Sequence, residues 1–162
     1  MAGQTCVSTT APRFERGESM LIAGFGGRFS RQDYRGIHDF WVDFFAHLDR
    51  IPGTKGQMTY GVCCNFDGKG GFDYIAGIEV SQRDELPDIY RCIEIQPRQY
   101  AVFVHDGWPD VLAQSYLYIL DTWLPQSGYE RIWEAPIYER YTPDFIPKDH
   151  TGSVEIWLPI SK

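Results

Sequence analysis

Hydrophobic and polar positions along the chain predict two copies of one order of secondary structure. In the first half, residues 19–29 have strand composition, and large apolar residues then recur every three or four positions. These residues are Ile37, Phe40, Trp41, Phe44, Phe45 and Leu48. The pattern predicts a helix that ends at Pro52 and Gly53. Two strands follow, at 58–66 and 72–80, and a glycine-rich turn joins them into a hairpin.

The second half repeats this order. An extended run over 91–104, interrupted by Pro97, precedes a helix predicted at about 110–123. Pro109 suits the first position of that helix, and Pro125 and Gly128 are expected to end it.

Two further strands, 132–141 and 153–159, close the second half. The two helices are displaced by roughly 74 positions, a spacing typical of domain duplication. We therefore expect an α+β fold, a duplicated β-α-β-β motif with antiparallel sheets around a central cleft and two main helices. A flexible lead-in, 1–17, would precede one domain with halves at about 18–84 and 85–162.

Alternation in the closing strands selects the residues expected to face this cleft. Val154, Ile156 and Leu158 alternate with Glu155 and Trp157, so the aliphatic side chains should face a helix. Glu155 and Trp157 would then face the cleft. By the same alternation, Ile137, Glu139 and Tyr141 share one face of the preceding strand, and a hairpin would bring them near Glu155. The expected site is a pair of carboxylates among aromatic rings.

Composition narrows the classes of function. The 162 residues carry 15 basic and 22 acidic side chains, a net charge of −7, and 15% of them are aromatic. An acidic chain without a basic cluster disfavours direct DNA binding and favours cations as ligands. Because the chain shows no apolar stretch of signal-peptide or membrane-span length, we expect a cytoplasmic protein without membrane contact.

The spacing of histidines and cysteines predicts no metal site, and no glycine-rich stretch matches a phosphate-binding loop, so no cofactor is expected. Four cysteines, at positions 6, 63, 64 and 92, lack the spacing of metal ligands. We interpret them as reduced thiols.

Four segments of the sequence resemble the GyrI-like small-molecule-binding family, which also supplies the effector-binding domain of AraC-type and multidrug-sensing transcription regulators. The segments are QPRQYAVFVHDGWP at 96–109, WLPQSGY at 123–129, YERYTPDF at 138–145 and VEIWLPI at 154–160. The resemblance implies a duplicated β-α-β-β fold around a pocket that accepts bulky lipophilic cations. A chain of this length also resembles proteins encoded by integron cassettes. It leaves no room for a helix-turn-helix, so direct transcription control is not expected.

By this resemblance, Glu155 corresponds to the glutamate of the family's terminal strand, and Trp157 is the aromatic residue two positions later. Glu139 corresponds to a second acidic position that some drug-sensing members use. Each has an alternative interpretation, since Glu155 and Glu139 could be solvated strand carboxylates and Trp157 could be a core residue. The remaining candidates for ligand contact are aromatic residues that could equally serve in packing: Tyr141, Tyr60, Trp41, Phe25 and Trp108.

Three functions remain open at this point. The leading hypothesis is a module that binds lipophilic cations through apolar burial, aromatic faces and carboxylates. The second is a hydrolase, because the resemblance extends to members that open strained electrophilic compounds with a glutamate assisted by tryptophan and tyrosine. The third is inhibition of a DNA-handling enzyme, as in the family's namesake.

Overall fold

A computed structural model describes residues 11–105, 112–144 and 153–162. Its strands are β1 (Arg13–Gly17), β2 (Met20–Ser30), β3 (Thr54–Cys64), β4 (Gly71–Val80), β5 (Arg91–Ile95), β6 (Arg98–His105), β7 (Glu130–Arg131), β8 (Ile137–Tyr141) and β9 (Val154–Ser161). Its helices are α1 (Ile37–His47), α2 (Leu112–Leu117) and α3 (Leu124–Ser127), with a 3₁₀ turn at Leu48–Arg50 and a π-helical segment at Tyr118–Trp123. The expected α+β fold is confirmed.

One continuous antiparallel sheet, curled into a half-barrel, replaces the separate sheets that the sequence suggested. Its strand order is β1-β6-β9-β8-β3-β4-β2-β5, and β7 pairs with β9. The order β2-β4-β3 in the first half mirrors β6-β9-β8 in the second. The two halves meet where β3 pairs with β8 over five residue pairs. Residues of β3 and β8 therefore lie at the centre of the molecule.

Each half of the chain contributes one edge strand to the other half of the sheet. β1 pairs with β6, and β5 pairs with β2. The structure differs here from the expected lead-in, because residues 13–17 form a strand. Its sequence lacks apolar alternation because β1 is an edge strand with largely exposed side chains.

Helix α1 packs on one face of the sheet in the first half. Its apolar stripe covers a cluster that includes Phe44, Cys63, Tyr74 and Ala76, and Phe44 is fully buried. The predicted helix and the β3–β4 hairpin are both confirmed. In the connecting turn, Asp67 Oδ1 accepts hydrogen bonds from the backbone N–H groups of Lys69 at 2.7 Å and Gly71 at 2.9 Å.

The helical segment of the second half covers the same face of the sheet, over a cluster that includes Ile119, Ile156 and Leu158. The expected orientation of Ile156 and Leu158 toward a helix is therefore confirmed. Pro125 does not end the helix, and the prediction that it would is wrong. It occupies the first turn of α3, where a missing N–H is tolerated. The helix ends at Gly128, whose φ of 79° is the left-handed conformation that favours glycine.

The strand predicted over 132–141 is shorter than expected. Ala135 N–H donates a hydrogen bond of 3.2 Å to the Ile132 carbonyl, which closes a turn before Pro136. Because proline donates no hydrogen bond to a strand ladder, β8 begins only after it, at Ile137. Trp133 in this turn is 57% exposed.

The opposite face of the sheet buries a second apolar cluster that includes Tyr60, Val62, Tyr100, Tyr138 and Trp157. Among the described residues, neither α1 nor the segment at 112–127 contributes to this cluster. Its side chains pack on one another because the sheet curls. The two faces of the sheet are therefore two distinct environments.

Within the described ranges, no helix has the length and apolar character needed to cross a membrane.

Two adjacent phenylalanines of α1 give a direct test of this packing. Phe44→Ala should lower the free energy of unfolding by about 3–5 kcal/mol, since it empties a filled core position. Phe45, which the sequence pattern placed on the apolar stripe, is 58% exposed, so that part of the expectation is wrong. Phe45→Ala should therefore cost less than about 1 kcal/mol. Urea unfolding measures both, and equal losses would contradict the assigned face of α1.

Candidate functional site

Glu139 is the buried carboxylate at the centre of the molecule. It lies on β8 opposite Gly61 of β3, at the junction of the two halves. Its side chain faces the helix-covered side of the sheet, because it is paired with Ile156 of the cluster under the second helical segment. Glu139 is 4% exposed. We call the buried region over Glu139, to which α1 and α2 contribute Trp41 and Tyr116, the interhelical cleft.

Three tyrosine hydroxyls donate hydrogen bonds to the Glu139 carboxylate. Tyr74 of β4 and Tyr141 of β8 reach Oε1 at 2.8 and 2.7 Å, and Tyr116 of α2 reaches Oε2 at 2.8 Å. Trp41 of α1 donates its indole N–H to the Tyr74 hydroxyl at 3.0 Å. The Trp41 ring also meets the Tyr141 ring edge-on, with 5.1 Å between centroids. Residues from both halves of the fold thus hold the same carboxylate, that of Glu139.

Gly61 leaves the space that this arrangement needs. A Cβ atom built on Gly61 would lie 2.6 Å from Oε1 of Glu139 and closer still to the Tyr74 hydroxyl. Cβ atoms do not make contacts this short, so a larger residue would displace the carboxylate or the phenol. The glycine is required here by space and not by an unusual backbone angle.

Burial raises the pKa of Glu139, and the three tyrosine hydrogen bonds oppose that rise because they favour the ionised form. Burial, together with the nearby Glu139, also raises the pKa values of Tyr74, Tyr116 and Tyr141 well above the ordinary value. The tyrosines therefore remain protonated donors. No ion pair among the described residues includes Glu139.

Glu155 lies in a different environment. It pairs with Arg140 across β8 and β9, on the face opposite Glu139. Arg13 Nη2 lies 2.6 Å from Glu155 Oε2, and Arg140 Nη1 lies 3.7 Å from Oε1. Trp157 donates its indole N–H to Glu155 at 3.2 Å. The expectation that Glu139 and Glu155 share one cleft is wrong, because β8 and β9 pair in the register that places the two side chains on opposite faces of the sheet.

The structure brings together three of the predicted site residues and separates the others. Glu139, Tyr141 and Trp41 meet in the interhelical cleft. Trp157 and Tyr60 lie in the cluster on the opposite face, where the guanidinium groups of Arg13 and Arg140 approach the Trp157 ring to 5.9 and 5.8 Å. Phe25 packs instead against His47 and Tyr90, at 4.9 and 5.4 Å between ring centroids. Trp108 lies outside the described residues.

Sequence reasoning missed Tyr74, Tyr116 and Gly61. Tyr74 alternates with Phe72, Ala76 and Ile78 along β4, so its face could be inferred, but an aromatic residue in that pattern reads as core. Tyr116 shares the apolar side of its helix with Leu112 and Trp123, so it too has the pattern of a core residue. Within the described ranges, no cluster of three potential metal ligands occurs.

Comparison with known proteins assigns the family. The GyrI-like small molecule binding domain matches residues 10–161. The chain therefore belongs to the GyrI-like family and is a small-molecule-binding domain of that type.

Individual relatives share this domain in different contexts. The transcriptional regulator BrlR of Pseudomonas aeruginosa is 29% identical over 127 residues, which are 76% of this chain and 46% of that protein. The chain thus spans about half the length of this curated relative. SAV2435, solved with bound tetraphenylphosphonium, superposes with a TM-score of 0.73 at 18% identity over 94% of each chain. An integron cassette protein from the mobile metagenome of Vibrio cholerae superposes with a TM-score of 0.71 at 18% identity, over 93% of this chain and 96% of that one. These structures show the shared fold.

The raised pKa of Glu139 predicts how stability depends on pH. Between the pKa of an unfolded glutamate, about 4.3, and the higher folded value, the folded protein binds more protons than the unfolded chain. Glu139 thus contributes stability that is fully present below about pH 4.3 and is lost as pH rises through its folded pKa. The difference in free energy of unfolding between wild type and Glu139→Gln should therefore change as pH rises from about 4.3 through the folded pKa, in favour of wild type at the acidic end.

Tyr116→Phe provides the matched variant for this measurement. It removes a donor that favours the ionised carboxylate, so it should move the transition to higher pH. Urea unfolding of the three proteins at a series of pH values measures the effect. A difference between wild type and Glu139→Gln that does not vary with pH would show that the carboxylate ionises without a cost of burial.

Proposed function

We propose that this domain binds lipophilic cations in the interhelical cleft and that Glu139 supplies the negative charge. One observation carries the proposal: a carboxylate that is 4% exposed and takes part in no ion pair among the described residues. A buried ionised carboxylate is costly unless a counter-charge or hydrogen-bond donors stabilise it. The three tyrosines supply donors, and a bound cation would supply the counter-charge.

The aromatic residues around Glu139 suit a cation with a large apolar surface. Trp41 and Tyr141, whose rings meet edge-on, belong to the aromatic side chains around the carboxylate, and cations are attracted to the faces of aromatic rings. Apolar burial adds about 25 cal/mol per Å² of ligand surface removed from water. The combination favours a delocalised or bulky cation over a small hydrated one.

Access to Glu139 requires side chains of both helices to turn aside. Tyr116 of α2 and Trp41 of α1 lie on either side of the carboxylate, through the hydrogen bonds described above. When a ligand displaces them, the carboxylate loses a tyrosine hydrogen bond and gains a full positive charge beside it. Because the carboxylate is otherwise enclosed, binding should favour ligands large enough to contact the aromatic side chains that they displace.

The comparisons support this proposal at the level of the family and the fold. SAV2435 was solved with tetraphenylphosphonium, a lipophilic cation, and the net charge of −7 attracts cations at long range. The role of Glu155 and Trp157 in ligand contact stays a prediction. We take Glu139 as the counter-charge because two arginines of the chain itself already face Glu155.

Tetraphenylphosphonium affinity of two glutamate variants tests the assignment. Glu139→Gln should weaken binding by about 2 kcal/mol, the usual range for removing one partner of a desolvated charge pair. Glu155→Gln, its matched control, should leave the affinity within about 0.5 kcal/mol of wild type, as expected for a change away from the site. Isothermal titration calorimetry measures both, with neutral triphenylphosphine oxide as the uncharged comparison ligand.

Two results would contradict the proposal. Equal affinity of wild type for the phosphonium and the phosphine oxide would remove the preference for cations. Weakened binding in Glu155→Gln with unchanged binding in Glu139→Gln would move the site to the opposite face of the sheet.

A second candidate, hydrolysis of strained electrophilic compounds, is favoured by the chain of hydrogen bonds from Trp41 through Tyr74 to Glu139. Burial raises the pKa of the Glu139 carboxyl, which makes it a better proton acceptor for a water molecule and, once protonated, a proton donor to a leaving group. Tyr74 would hold the carboxylate in place, and Trp41 would orient the Tyr74 hydroxyl.

Mass spectrometry of a reaction with an activated cyclopropane tests this candidate. Wild type should convert the compound to a product heavier by one water molecule, and Glu139→Gln should reduce the rate by at least about 100-fold, as for loss of a general acid or base. Tyr116→Phe serves as the comparison because it removes a hydrogen bond to the carboxylate and leaves the Trp41–Tyr74 pair intact. Conversion at the same rate with Glu139→Gln would exclude this role.

A further inference from the structure

Arg131 of β7 has an unusual environment. Its guanidinium group contacts two aromatic rings that meet edge-on, with its central carbon 4.4 Å from the Phe66 centroid and 3.8 Å from the Trp133 centroid. Phe66 follows β3, and Trp133 belongs to the turn before β8. Both ring contacts favour the positive charge of the guanidinium group.

Two donors of this guanidinium have no acceptor. Nε and Nη2 of Arg131 are buried and make no hydrogen bond within the part of the chain that the structure describes. Their N–H bonds lie along the same edge of the guanidinium plane, the edge that binds a carboxylate through two parallel hydrogen bonds. Buried donors are nearly always paired in native proteins. An unpaired edge of this kind fits an anionic group supplied by a ligand.

No acidic side chain of the described chain neutralises Arg131, since none of the ion pairs includes it. A second arginine, Arg31, lies close enough for its charge to be felt at Arg131. Burial lowers the pKa of Arg131 to about 10, which still leaves it protonated at neutral pH. The local charge is therefore positive and unbalanced.

This positive group lies beside the interhelical cleft. Cys63 and Tyr116 are each within electrostatic range of both Glu139 and Arg131, so both charged groups lie near the same two residues. Cys63 is opposite Ile137 on β8, two residues before Glu139. One ligand that spans the Cys63 position could therefore meet a carboxylate at one end and a guanidinium group at the other.

We propose that Arg131 forms an anion subsite and that the ligand class of this domain is a lipophilic zwitterion with a cationic group at Glu139 and a carboxylate at Arg131. The placement of the cationic end rests on the function proposed above, whereas the anion subsite rests on Arg131 and its neighbours. Trp133, which is 57% exposed, is the more accessible of the two rings that contact Arg131. Its ring turns aside to admit the carboxylate.

Carboxybutyl-triphenylphosphonium and its methyl ester test the proposal, because they share the cation and differ in the carboxylate. Wild type should bind the carboxylate about tenfold more tightly than the ester, as expected for hydrogen bonds to charged groups. Arg131→Gln should abolish that preference. Arg35→Gln, which removes an equal charge from an exposed side chain paired with Asp33, should retain it. Calorimetry gives the affinities.

Arg131→Lys and thermal melting distinguish the subsite from a structural role. Lysine keeps the charge without the two-donor edge, so this variant should lose most of the preference while keeping the wild-type melting temperature. Equal binding of carboxylate and ester by wild type would overturn the proposal, and so would a preference that persists in Arg131→Gln.

Phenylbutyrate and butyl-triphenylphosphonium separate this proposal from the function on which it partly rests. If the phosphonium does not bind wild type but phenylbutyrate binds in an Arg131-dependent manner, the anion subsite stands and the cation function fails. In the opposite case, the phosphonium binds wild type, but neither phenylbutyrate binding nor the preference for the carboxylate over the ester depends on Arg131. The cation function then stands and the subsite fails.

Discussion

The rest of the site depends on the burial of one carboxylate without a counter-charge. Glu139 loses its hydration between two helices, and three tyrosine hydroxyls replace the lost water. These tyrosines come from β4, α2 and β8, so both halves of the fold must be in place before the carboxylate is satisfied. Gly61 provides the space in which Tyr74 and Glu139 meet. A charge held in this way is stabilised yet remains available to a cation.

Each face of the curled sheet carries a carboxylate, and the two faces stabilise it in different ways. On the helix-covered face, neutral donors hold Glu139. On the opposite face, Arg13 and Arg140 neutralise Glu155, and their charges also approach the Trp157 ring. Arg13 belongs to β1, which pairs with the second half of the sheet. The pairing of β1 with β6 thus brings Arg13 to Glu155 on one face. On the other face, Glu139 has no cationic partner among the described residues.

Arg131 complements Glu139 because it has the opposite charge and, like Glu139, takes part in no ion pair within the described chain. Three tyrosines hold the carboxylate, whereas Nε and Nη2 of the guanidinium group have no hydrogen-bond acceptor in the described ranges. The separation of Glu139 and Arg131 by Cys63 and Tyr116 would select ligands by length as well as by charge.

The sequence by itself determined the duplicated order of elements, the apolar face of α1 and the side of β9 that faces a helix, because these depend on periods of 3.6 and 2 residues within single elements. It also indicated Glu139, Tyr141 and Trp41 as candidates. Only the tertiary structure decided that Glu139 is opposite Ile156 and not Glu155, since a one-residue change of register moves a side chain to the other face. Tyr141 and Trp157 lie two residues from the carboxylates they contact, but Tyr74, Tyr116 and Arg13 come from other strands and a helix. No local pattern encodes which of these distant residues will meet a given carboxylate.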